Sequence, residues 1–107
     1  MTMEQHAYTL SQLQALERLI KIAKSDTGQS GRVANFLLAW WNASDNGGFD
    51  LTDLWNVDRE ISDDMQLVFG LVAHVHSYPD RFGYEADFRQ LVTDWRRPKR
   101  AKKRGRS

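Results

Sequence analysis

Apolar residues in this chain recur at intervals of three and four, and no stretch sustains period-two alternation. That spacing lines one face of an α-helix, whereas a half-buried strand needs alternation. The sequence therefore predicts an all-α fold, a small single-domain bundle of four to five helices. Leu13, Leu16, Ile20 and Ala23 make the first apolar face, on a helix from Thr9 or Ser11 to about Lys24. Thr9 and Gln12 have capping-box spacing at its start. The joint Ser25-Asp26-Thr27-Gly28 ends it.

A second helix is expected from Ser30 or Gly31, carrying Val33, Phe36, Leu37, Trp40 and Trp41. Turn formers then crowd residues 42–48, and Asp50 is placed to cap a short helical turn with Leu51, Leu54 and Trp55. The longest helix is expected from about Asp58 to Ser77, ending before Pro79, with Ile61, Met65, Val68, Phe69, Val72 and Val75 at helical spacing. Gly70 within it marks a close approach by a neighbour. A last helix, from about Tyr84 to Arg96, carries Phe88, Leu91, Val92 and Trp95. The expected core is Leu16, Ile20, Phe36, Leu37, Trp40, Val68, Phe69, Val72, Phe88, Leu91 and Trp95. Of the adjacent pair Trp40 and Trp41, one is expected in the core and the other at its margin; Trp55 and Trp95 read as core.

Charge divides the chain differently. Eight of its fifteen Lys and Arg lie in the last twelve positions, RRPKRAKKRGRS, without one acid among them. The remaining residues hold seven Lys and Arg against fourteen Asp and Glu, so 7 − 14 gives −7 for the body beside +8 for the tail. A cationic run without apolar residues cannot bury enough surface to offset its ordering entropy. The expected organisation is a flexible start at residues 1–8, a helical domain at 9–96 and a disordered basic tail at 97–107. Such a tail suits polyanions, so Arg96, Arg97, Lys99, Arg100, Lys102, Lys103, Arg104 and Arg106 are the candidate nucleic-acid contacts. In the body, Arg18, Lys21 and Lys24 make one sparse basic stripe.

Chemistry-bearing constellations are few. There is no Cys, hence no disulfide, thiolate metal site or Cys nucleophile. His74 and His76 stand two apart on a helix, on opposite sides, and His6 lies near the start. One of the helical pair is expected to be partly buried and hydrogen bonded. Asn42, Ser44, Asn46, Asp50 and Asp53 can be set on the register of an EF-hand loop around Gly47, but two carboxylates give a cation little charge to replace its water. A Gly-Gly turn followed by an Asp cap explains the same residues. Asp63 and Asp64 read as exposed acids in a first helical turn. No nucleophile elbow or phosphate-cradling loop is present. The expectation is a non-enzymatic protein with no metal and no cofactor. The start, MTMEQHAYTL, lacks the basic and apolar regions of a signal peptide, and no apolar run approaches the ~20 residues that span a bilayer, so a cytoplasmic protein without a membrane partner is expected.

The blocks VANFLLAWWNA, GGFDLTDLWNVD, SYPDRFGYEADF and LVTDW, between Ser30 and Trp95, resemble a family of short uncharacterised proteins carried on integrative and conjugative elements, plasmids and phages of proteobacteria. The resemblance implies a mobile-element protein and brings no assigned activity or catalytic residues. Two functions follow as expectations. One is an accessory protein that binds nucleic acid weakly and salt-sensitively through its tail. The other is an interaction module, anti-CRISPR-like, whose acidic body engages a basic host protein, with Trp41 and Trp55 as its candidate contacts.

Overall fold

The computed structural model describes residues 8–96, and they form four α-helices and two short 3₁₀ helices, with no strand among them. The expectations for residues 1–7, including His6, and for residues 97–107 lie outside the described residues. Helix α1 (Leu10–Ala23) packs against both α2 (Gly28–Asn46) and α3 (Arg59–Val75), and α4 (Glu85–Trp95) lies on α2. A 3₁₀ helix at Leu51–Asn56 joins α2 to α3, and another at Pro79–Phe82 joins α3 to α4.

The helix starts are written in local hydrogen bonds. Thr9 Oγ1 accepts from the Gln12 amide at 3.1 Å, and the Gln12 carboxamide accepts from the Thr9 amide at 2.8 Å. Helix α2 begins earlier than its apolar spacing indicates, because Thr27 and Ser30 form the same reciprocal pair at 3.1 and 3.2 Å. Its far end kinks at Asn42 (φ −168°, ψ 87°). There the Asn42 carboxamide oxygen accepts from the Asp45 amide and the Ser44 hydroxyl, restarting a final turn. Asp58 opens α3 without a side-chain cap of its own; instead Gln29 of α2 accepts from its amide at 2.6 Å and donates to its carboxylate at 3.3 Å. Helix α3 stops at His76, whose left-handed backbone (φ 58°) ends the run before Pro79.

The buried core runs through all four helices, from Leu16, Leu19 and Ile20 through Val33, Leu37 and Leu38 to Met65, Val68, Leu71, Phe88 and Leu91. Phe36, Trp40, Val72 and Trp95 pack against it half-buried. Trp40 and Trp41 do not divide into a core ring and a marginal one. Both are half-buried, and both meet Phe88 edge-on, with centroids 6.0 and 5.9 Å away. The Trp95 indole N–H donates to the Ala23 carbonyl at 2.8 Å, tying α4 to the end of α1. This ring lies so close to α2 that a methyl group at Gly31 would stand 3.3 Å from it. Gly70 is the corresponding point on α3, where a methyl would stand 3.1 Å from the side-chain carboxamide nitrogen (Nε2) of Gln12.

Two expected core residues lie outside it. Phe69 is 63% exposed. It sits 100° around the helix from Val68, beyond the side of α3 that its neighbours cover. Trp55 is 81% exposed. The spacing of Leu51, Leu54 and Trp55 suits one α-helical face, but the segment is 3₁₀, in which residues three apart eclipse. Leu51 and Leu54 therefore share a side and Trp55 points a third of a turn away.

Between α1 and α4, the Tyr84 hydroxyl donates to the Glu17 carboxylate at 2.9 Å. Burial, followed by the Glu17 bond and charge, pushes the phenol from 10 up to about 12. The folded state thus holds this proton more tightly than the unfolded chain. Its contribution to stability is complete below pH 10 and is lost as pH rises towards 12. Melting temperatures of wild type and Tyr84→Phe, compared from pH 8 upwards, should differ most below pH 10 and converge above it.

Candidate interaction surfaces

Four of the seven Lys and Arg that precede Arg96 are paired with the body's own acids. The Arg18 guanidinium grips Asp64 through two hydrogen bonds of 2.9 Å, and this contact raises the Arg18 pKa. Asp64 is accordingly buried rather than an exposed first-turn acid; Asp63 beside it is exposed. Lys24 is hydrogen bonded to Asp87, Arg32 lies 3.8 Å from Asp53, and Arg89 donates to Glu85 at 3.0 Å. Two members of the basic stripe, Arg18 and Lys24, are thus paired across helices with acids that its sequence spacing does not reveal.

Arg96, the first residue of the basic run, is held by the body. Its Nε donates to the Asn46 carbonyl at 2.7 Å, and its two terminal nitrogens reach Asn35 Oδ1 and the Trp95 carbonyl. A guanidinium at the carbonyl end of α2 also complements that helix dipole. Arg96 itself is thus held against α2. The other seven candidate contacts, Arg97, Lys99, Arg100, Lys102, Lys103, Arg104 and Arg106, lie outside the described residues.

The two candidate Trp contacts differ. Trp41 is half-buried: its indole N–H donates to Asp80 at 3.1 Å, and the Arg89 guanidinium lies 5.8 Å from its ring centroid. Trp55 stands in solvent, on the 3₁₀ helix whose Leu51 and Leu54 line a shallow apolar groove that the sequence does not announce. The groove, about 330 Å³, is lined by Phe36, Phe49, Leu51, Leu54, Met65 and Phe69, together with Gln66. Phe49 meets Phe36 edge-on at 5.2 Å and so folds the Gly-Gly loop onto α2. Leu51 is 68% exposed. Leu51 and the 63%-exposed Phe69 thus bring exposed apolar side chains to one groove.

The EF-hand register is spent on local structure. Asn42 and Ser44 bond to each other, and Asn42 also donates to Asp45 at 2.9 Å. Asp50 caps Thr52 through its amide and hydroxyl, contacts that hold the Asp50 carboxyl below its ordinary range, while Asp53 faces Arg32. His74 and His76 are both exposed, each donating to a carbonyl of its own helix, Gly70 and Ala73, so neither is partly buried. Among the described residues, no three His, Asp or Glu converge where they could hold a metal ion. No helix among them is long and apolar enough to cross a membrane.

A small α-helical domain with an apolar groove, paired surface charges and a basic run rooted at Arg96 is the class these observations define. A family model described as a family of unknown function, DUF7673, matches residues 13–96, and the chain belongs to that family. The match takes in most of α1 and ends at the residue where the basic run begins. No curated protein and no solved structure matches the chain significantly.

Proposed function

We propose that this protein is a non-enzymatic accessory factor of a mobile element, acting in the cytoplasm, whose basic tail binds nucleic acid while its helical body makes protein contacts. The observation that carries the reading is the segregation of charge. Eight cations without an acid follow a body that holds fourteen acids, and four of the body's own seven cations are paired with them. Phosphate affinity in such a molecule comes from the tail, and counterion release makes it sensitive to salt and largely indifferent to base sequence. Carriage on a mobile element is part of the proposal through the resemblance of the Trp-containing blocks.

A second reading has its own observation. The exposed groove and Trp55 suit an interaction module that acts on a host protein, with the acidic body directed at a basic, nucleic-acid-binding surface. Truncation after residue 96 separates the two. Loss of duplex binding together with loss of biological activity supports the first reading, whereas retained activity without duplex binding moves the second to first place.

A further inference from the structure

We infer that the basic tail docks on its own domain, with Arg97, Lys99 and Arg100 set along an acidic and aromatic track that runs from Asn46 to Asp80. The track consists of two adjoining concavities. One, about 340 Å³, is lined by Trp41, Asn42, Asp45, Asn46 and Val92. The other, about 530 Å³, shares Trp41 and Asn42 and continues to Trp40, Tyr78 and Asp80. Among the described residues, no Lys or Arg lines either one.

Both acids of the track carry charge that the domain leaves unmatched. Asp45 accepts from the Asn42 carboxamide at 2.9 Å and Asp80 from the Trp41 indole at 3.1 Å. Neither forms an ion pair among the described residues. The neighbouring cations are used elsewhere. Arg81 donates to the Ser77 hydroxyl, and Arg89, which lies over the Trp41 ring, donates to Glu85. Rings stand beside the two carboxylates: Trp41 lines both concavities, and Tyr78 is 62% exposed. A guanidinium or ammonium gains from a carboxylate and from an aromatic face together.

Position selects the tail as the occupant. Arg96 donates to the Asn46 carbonyl, so the chain beyond it begins at a residue that lines the first concavity. From Asn46 back to Trp41 is about 8 Å along the helix. Four residues of extended chain cover about 13 Å, which brings Arg97, Lys99 and Arg100 within reach. The acids of α4, nearest to the tail in sequence, are already engaged: Glu85 by Arg89, Asp87 by Lys24 and Asp94 by Gln90. A foreign basic segment would meet the same track, but a tethered one meets it at an effective concentration in the millimolar range. Exposed ion pairs are weak singly, so a polyanion that offers more charge displaces the tail. Docking would therefore screen the tail until such a ligand arrives. It is a property of the free chain and stands whether or not that ligand is nucleic acid.

The Trp41 indole N–H, bonded to Asp80, is the reporter. Proton–nitrogen correlation spectra of the full chain are compared at about 20 mM and about 0.5 M salt, without nucleic acid. At low salt the Trp41 indole signal should differ between wild type and Arg97→Gln/Lys99→Gln/Arg100→Gln, and the difference should vanish at high salt. The Trp55 indole, 81% exposed and lining neither concavity, should not move. Lys102→Gln/Lys103→Gln/Arg104→Gln removes the same charge further along and should shift Trp41 less. Asp45→Asn, which leaves the Trp41–Asp80 bond in place, should shrink the wild-type difference. An unmoved Trp41 signal in the first variant overturns the inference. Equal shifts in both triple variants do so too, because they report net charge alone. A shift that grows with protein concentration also overturns it, because the tail then docks on a neighbouring chain.

Discussion

Phe88→Ala is expected to cost about 3–5 kcal/mol, most of what a domain of this size has to lose. Phe88 is fully buried on α4, and the indoles of Trp40 and Trp41 close over it edge-on. Neither indole is free to collapse into the space a truncation would leave. Trp40 is held by the Ser77 carbonyl at 3.0 Å and Trp41 by Asp80 at 3.1 Å, both on the chain between α3 and α4. The cost therefore includes a cavity as well as the lost transfer energy. Leu91→Ala, one turn further along α4 and also fully buried, should cost about 2–5 kcal/mol. Phe69→Ala provides the contrast. Because that ring is exposed, its removal should change the stability of the monomer by less than about 1 kcal/mol. Urea denaturation measures all three. Equal losses in Phe88→Ala and Phe69→Ala would contradict the assignment of the core to one side of α3.

The helices were legible wherever one physical signal sufficed. Thr9 and Gln12 announce α1 through a local hydrogen-bond pair, and Ile61, Met65, Val68 and Val72 keep the 3.6 period of α3. What was not legible depended on partners distant in the chain. Asp64 reads as one more first-turn acid until Arg18, forty-six residues earlier, is seen to grip it. Thr27 reads as loop because its capping partner is Ser30 rather than the Glu or Gln of the usual box. Trp55 follows α-helical spacing in a segment whose backbone is 3₁₀, and this difference moves the ring from an expected core into solvent. Phe69 shows that spacing gives the side of a helix but not where its neighbours stop. The groove forms where one of these aromatics, Phe69, falls in with Phe36 and Phe49. As for the tail, its charge is plain from the sequence, but the removal of Arg96 from it is not, since Asn46 and Asn35 are fifty and sixty-one residues away.

The most direct test of nucleic-acid association is a titration of labelled duplex DNA at several salt concentrations with three species: the intact chain, residues 1–96, and a peptide of residues 97–107. Each phosphate neutralised contributes about −0.9 to the slope of log affinity against log salt. With the Arg96 guanidinium occupied by Asn46 and Asn35, seven tail cations remain, giving a limiting slope of about −6 per bound chain. The peptide should bind more tightly than the intact chain at low salt, because the body's −7 opposes approach, and the two should converge as salt screens it. The account predicts steeply salt-dependent binding by the intact chain and its loss in residues 1–96. Absence of binding by the intact chain at low salt, or equal binding by residues 1–96, would contradict it.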